Sequence, residues 1–160
     1  MFPILGRSSS HRGGTDIKLL LQPRDIDIQG GSDFYVEYAP KEVEFRVHVF
    51  CGRIIKISEK RRDGGGDYDP VCWNLGSGWT FMNPSNETPP AAYQAVAAVM
   101  VHKLDFGAVD IMMSAEGEAF VLEVNTAPGL HEHSLEIYGE ALREELGLSD
   151  VPGIENVDFE

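Results

Sequence analysis

The sequence predicts an α+β domain, an antiparallel sheet with helices packed on one face, and three observations carry that prediction. The run EVEFRVHVFCGRIIKISEK alternates apolar and polar residues over two strand lengths around a Cys51-Gly52-Arg53 turn. GAVDIMM and AFVLEVN make a second strand pair around Gly117, a residue suited to the positive backbone angle of a tight turn. Two helical stretches, AAYQAVAAVMVHKL and one from Ser134 to Leu146, bracket that second pair. With 160 residues, 42% of them hydrophobic, the chain can bury one core; the domain is placed over 1–148 and an acidic, loosely held tail over 149–160.

Taken in order, FPIL is a strand, SSSHRGG (Ser8 to Gly14) is a loop of small residues, and DIKLLL is a second strand. DIDIQGGS is a polar turn region, and DFYVEYAP is strand-like up to Pro40. In the next strand Val43, Phe45, Val47 and Val49 share one face while Glu44, Arg46 and His48 share the other, and Ile54 to Glu59 return as its hairpin partner. Asp63 to Glu87, rich in Gly, Asp, Asn and Pro, is expected to be a long loop holding Trp73 and Trp79. Thr88 caps a helix that takes Pro89 and Pro90 in its first turn and runs to Leu104, with apolar positions spread widely enough to predict that it is well buried. The last helix, from Ser134, is stopped by Gly147.

A net charge of −13 opposes a polyanionic partner, so nucleic acid is excluded as the main ligand; the one concentrated basic stretch is Lys56 to Arg62. No run approaches the roughly 18 apolar residues of a membrane helix, and the N-terminal apolar stretch is too short for a secretory signal. A cytoplasmic protein without a membrane partner is the expectation. Cys51 and Cys72 lack the paired spacing of a zinc site and are expected to be idle thiols.

The chemistry concentrates in the second hairpin. A turn centred on Glu116-Gly117 pairs Met113 with Phe120, Ile111 with Leu122 and Asp110 with Glu123, and Asn125 shares the face of Glu123. Two carboxylates facing one another across a ladder repel unless a cation lies between them, and oxygen-only donors of this kind suit magnesium. A solvated polar face is the other meaning of the same pattern, and spacing alone leaves both open.

The string DFGAVDIMMSAEGEAFVLEVNTAPGLHEHSL closely resembles the C-terminal metal-binding segment of the ATP-grasp superfamily, which includes the D-alanine–D-alanine ligases and the ribosomal-protein glutamate ligases. The resemblance implies that Asp110, Glu123 and Asn125 are metal ligands and that Gly129 and Ser134 lie beside the acceptor substrate. FPILGRSSSHRGG resembles the strand and glycine-rich loop that close over the ATP phosphates, which implies phosphate contacts for Arg7, Ser9, Gly13 and Gly14. VEYAP resembles the hinge at the adenine edge, with Glu37, Tyr38 and Ala39 there and Glu44 accepting from the ribose hydroxyls; ordinary strand polarity explains Glu44 equally well. Arg46 and Lys56 then balance charge on the phosphates or an acylphosphate as catalytic cations.

The resemblance implies an ATP-dependent, ADP-forming ligase that takes Mg2+, with Mn2+ as an alternative, and joins a small-molecule or peptide carboxylate to an amine through an acylphosphate. Ala108 stands where the D-alanine–D-alanine ligases carry an arginine, which points to a glutamate-ligase-like or other specificity. The match spans residues 2 to 146 and only part of a family member, without the N-terminal substrate domain. A truncated or inactive nucleotide-binding fragment is therefore the alternative function, and an exposed sheet edge is expected to drive self-association.

Overall fold

In the computed structural model the described residues are 2–10, 16–84 and 89–148. Gly13, Gly14, the Thr88 helix cap and the acidic tail from 149 lie outside them. Among the described residues eight strands form two sheets, ordered β2-β1-β3 and β6-β5-β4-β7-β8, accompanied by three α-helices. The chain divides into two compact units, one over 1–44, 59–85 and 112–119, the other over 45–58, 86–111 and 120–160. Among the described residues no helix is long and apolar enough to cross a membrane.

The first unit holds the three-stranded antiparallel sheet of β1 (Ile4–Arg7), β2 (Lys18–Leu20) and β3 (Phe34–Glu37). Its register sets Leu5 against Leu19 on one side and against Val36 on the other. Between β2 and β3 the expected polar turn is instead a short helix, α1 (Arg24–Gln29). Asp25, in its first turn, ties the helix to the chain before it, since its Oδ2 accepts from the amides of Leu21 (2.9 Å) and Gln22 (3.1 Å). Asp25 and Asp27 in the first turn also place negative charge at the positive end of the helix.

The loop expected over 63–87 also proves partly regular. It contains β6 (Trp79–Met82), which lies antiparallel to the outer half of β5 (Arg53–Arg62) with Glu59 opposite Met82 and Arg62 opposite Trp79. The rest of the loop folds on aromatic rings: Trp73 stacks on Trp79 at 3.9 Å, and Trp79 Nε1 donates to Asp69 O at 2.9 Å. Gly78 joins loop to strand at φ 81°, and a Cβ there would sit 2.7 Å from the carbonyl oxygen of Asp67. Gly78→Ala is therefore expected to cost about 2 kcal/mol, read as a lowered urea midpoint, because both the dihedral and the contact oppose a side chain. An unchanged midpoint would show that the loop end adapts freely.

Strand β4 (Val43–Phe50) joins β5 through a two-residue turn in which Cys51 and Gly52 both have positive φ, 45° and 76°, the geometry that matches strand twist in a tight hairpin. Cys51 N–H donates to Asp105 O and Glu42 N–H to Met113 O, which sets β4 antiparallel to β7 (Phe106–Met113). β7 turns into β8 (Ala119–Asn125) at Gly117, φ 84°. Here the register departs from expectation: Ser114 N–H donates to Glu118 O and Gly117 N–H to Ser114 O. The loop is thus three residues closed by a glycine bulge, one residue off the symmetric turn that put Asp110 straight across from Glu123.

Phe45, Val47, Val49, Val109 and Ile111 are buried in the second unit, along with Ala95 and Val99 of α2 (Tyr93–Val101). That helix is shorter than expected, preceded by a 3-10 turn over Pro90–Ala92. It is also buried on one face only, since Tyr93, Met100 and Val101 stay exposed. α3 (Glu132–Glu145) brings Tyr138 and Ala141 into a cluster with Phe50, with Ile55 packed against it. It ends as expected: Gly147 has φ 66°, and the amides of Gly147 and Leu148 bond back to Glu144 O and Arg143 O.

Candidate nucleotide and metal site

In the second unit, side chains singled out from sequence meet in pairs. Arg46 on β4 grips Asp110 on β7 through a two-pronged contact, Nε to Oδ1 at 2.7 Å and Nη2 to Oδ2 at 2.8 Å. Asp110 is 4% exposed, so a full carboxylate is held away from water by a planar guanidinium that matches its two oxygens. Lys56 on β5 donates to Ser134 Oγ of α3 at 2.7 Å, uniting a proposed catalytic cation with a proposed substrate contact. Gly129 is exposed in the connection ahead of α3.

His48, two residues beyond Arg46, was not singled out. It is 4% exposed, and its Nδ1 lies 3.1 Å from the Tyr138 hydroxyl. Burial first, then the charges of Lys56 and Arg46, push it down to about 4, with Asp110 acting in the opposite direction. Burial likewise pushes Tyr138 up to about 12. Both groups are therefore neutral at pH 7, in a place where Arg46, Lys56 and Asp110 are charged.

On β8 the Asn125 amide donates to Glu123 Oε1 at 2.9 Å, as expected for neighbours two apart on one face of a strand. That bond uses an N–H of the amide, so the Asn125 carbonyl oxygen and the second Glu123 oxygen are not part of it. Asp110, on the adjacent strand, already balances a cation in the form of Arg46. By donor chemistry the set fits a hard divalent ion such as Mg2+, which takes oxygen ligands and keeps several waters. Among the described residues no three of His, Cys, Asp and Glu gather into a metal site, so any ion here draws on an amide oxygen or on waters and phosphate. His131 and His133 are exposed.

In the first unit, Glu44 is 2% exposed, with Oε2 accepting from Lys41 at 2.7 Å and Oε1 from Lys60. Neither lysine was singled out from sequence as a site residue. The two ammonium groups occupy the lone pairs that a ribose would have to share. Glu37 ends β3 opposite Ile4, and Tyr38 N–H donates to Pro3 O at 3.2 Å. Ala39 follows, half-buried. Arg7 ends β1 with its guanidinium 5.8 Å from the Phe34 ring centre. The amide and hydroxyl of Ser9 both donate to Asp33 Oδ2 at 2.7 Å, and these bonds hold the Asp33 carboxyl below its usual range. Ser9 thus converges its donors on one anionic oxygen, which is what contact with a phosphate also demands.

Comparison with known proteins gives the fold. The chain superposes on D-alanine–D-alanine ligase from Bacillus anthracis with a TM-score of 0.58 and 20% identity, covering 92% of this chain and 51% of that one. The ATP-grasp ligase PsnB, complexed with a minimal precursor, gives 0.60 and 14%, covering 88% and 48%. The fold is that of the ATP-grasp ligases, and the chain spans about half the length of these solved structures.

Residues 85–148 match the family model described as D-ala D-ala ligase C-terminus. Within them falls the segment of the hairpin and α3 that sequence reasoning singled out. Over 31 residues the chain is 58% identical to a D-alanine–D-alanine ligase of Paraburkholderia phymatum, a match covering 19% of this chain and 10% of that protein. The chain thus has the fold of the ATP-grasp ligases, and its C-terminal part, residues 85–148, carries the signature of the D-alanine–D-alanine ligase C-terminus.

Proposed function

We propose that this chain supplies the magnesium-nucleotide chemistry of an ADP-forming carboxylate–amine ligase. The observation that carries the reading is the hydrogen-bonded pair of oxygen donors Glu123 and Asn125 on β8, next to the strand on which Arg46 holds Asp110, with Asp110, Glu123 and Asn125 all in the segment that matches the family model. Glu123 and Asn125 would hold the ion, with Asp110, one residue out of register from Glu123 and already held by Arg46, reaching it through water or phosphate; the ion would neutralise phosphate charge when bound. Mn2+, which also accepts oxygen ligands, would serve in its place.

In this reaction a carboxylate oxygen attacks the γ-phosphorus of ATP and ADP leaves, giving an acylphosphate. An amine then adds to the acyl carbon, phosphate departs, and the amine proton passes to solvent. The protein's own part is electrostatic. Arg46 and Lys56 are fixed cations whose positions are set by Asp110 and Ser134, so charge that develops on transferred oxygens meets groups already in place. His48, neutral between them, adds no further positive charge to the cluster.

Calorimetric titration with ATP, with and without Mg2+, tests the reading. Binding is expected only with Mg2+ and is expected to weaken at least about tenfold in Glu123→Gln, a substitution at an exposed side chain that should leave the fold intact. Equal affinity with and without the ion would remove the metal from the proposal. Magnesium-dependent binding with no ADP release over a panel of carboxylates and amines would support the second reading, a nucleotide-binding chain without turnover.

A further inference from the structure

The nucleotide reading makes no use of a cleft of about 410 Å3 in the first unit, a size typical of small-molecule sites. Lys41, Lys60, Arg61, Arg62, Trp73 and Trp79 line it. Four of the chain's 13 lysines and arginines thus surround one cavity, in a protein of net charge −13. Counting Glu42 and Glu59 of the lining and the Glu44 that Lys41 and Lys60 share, the balance is four cations to three carboxylates, a surplus of one positive charge.

Two of the four cations sit where water has little access. The side chains of Lys41 and Lys60 are 13% and 10% exposed, so an anion placed against them is screened far less than on an open surface. One wall is apolar: Trp73 stacks on Trp79, and Lys41 Nζ lies 4.8 Å from the centre of the Trp73 ring. The cleft already shows how it holds a carboxylate, since Arg61 grips Glu59 with Nε and Nη2 at 2.8 and 3.1 Å.

We propose that this cleft binds a monocarboxylate carrying an apolar or aromatic group, with the carboxylate received between Lys41, Lys60 and Arg61 and the apolar part laid against the Trp73–Trp79 wall. A single surplus charge matches one carboxylate and not a polyphosphate. As a binding site the cleft stands by itself; as the place of the ligase's carboxylate substrate it rests on the function proposed above.

Both tryptophans of the chain lie in the cleft, so intrinsic fluorescence reports on it directly. The full chain is titrated, without nucleotide or metal, with N-acetylphenylalanine, acetate, inorganic phosphate and ATP. N-acetylphenylalanine is expected to change the emission saturably, acetate to bind at least tenfold more weakly, and phosphate and ATP to leave it unaffected. Lys41→Met removes the surplus charge and is expected to weaken binding at least tenfold; Arg61→Gln does the same from a less buried position, 35% exposed, should the first variant fold poorly. Glu123→Gln should bind N-acetylphenylalanine as wild type does, even where it has lost Mg2+-ATP. The proposal is overturned if no carboxylate saturates the signal, if phosphate or ATP displaces N-acetylphenylalanine, or if both charge variants bind normally.

Discussion

Arg46→Gln is expected to lose about 3 kcal/mol or more of unfolding free energy, the largest single effect foreseen for this chain, measured by urea denaturation at pH 7. The reason is asymmetric. Asp110 is 4% exposed and both of its oxygens are held by the one guanidinium, so the variant keeps a buried carboxylate that has lost its fork-shaped partner. Asp110→Asn should cost less, because the Arg46 side chain is 27% exposed and its charge can reach water. Replacing both residues with apolar ones of similar volume, Arg46→Met with Asp110→Leu, should recover most of the loss, since a buried ion pair is costly to desolvate in the first place. If Mg2+-ATP binds at Asp110, it should raise the melting temperature of Arg46→Gln more than that of wild type, since a second cation then takes over the carboxylate. An Arg46→Gln protein as stable as wild type would mean that the pair does not secure Asp110.

Much of this arrangement was legible in the sequence where a local rule sufficed. Cys51-Gly52 and Gly117 mark turns because their backbone angles are costly for other residues, and Gly147 stops α3 for the same reason. Alternation along β4 correctly separated Glu44, Arg46 and His48 from Val43, Phe45, Val47 and Val49. What alternation could not say is what covers the polar face. Tyr138 of α3 packs on His48 and Phe50, so that face is interior and not an open cleft wall. Helical spacing held the missing hint, since Tyr138 lies one turn beyond Ser134, on the same side of α3. Elements that depend on distant partners were invisible: β6 exists because it pairs with Glu59–Arg62, and the tryptophan stack then orders the loop before it. The register error at Gly117 has a similar origin, because a two-residue and a three-residue turn share the same glycine signal and differ by one residue in every pairing beyond it.

The second large effect is a dependence on acid that traces to His48. Its ordinary value is 6.5, and in the folded chain it is held to about 4 by burial and then by Lys56 and Arg46. The unfolded chain therefore takes up a proton as pH falls through about 6.5, whereas the folded chain does not until near 4. Stability is complete above the unfolded value, drains away as pH falls between the two, and is level again below the folded one. At about 1.4 kcal/mol per pH unit, the window corresponds to a loss on the order of 3 kcal/mol. The groups that face His48 decide the sign: Arg46 on its own strand and Lys56 on β5 oppose a proton, Asp110 on β7 favours one, and Tyr138 on α3 stays neutral in this range. His48→Gln keeps a polar partner for the Tyr138 hydroxyl but cannot titrate, so wild type should lose on the order of 3 kcal/mol relative to it as pH falls from 7 to 4. Carboxylates also titrate in this window, but they do so in both proteins, and the difference between the two stability curves isolates the histidine. Parallel curves would mean that His48 takes its proton at the same pH folded and unfolded, and that the neutral ring beside Arg46 and Lys56 is not part of how this cluster keeps its charge.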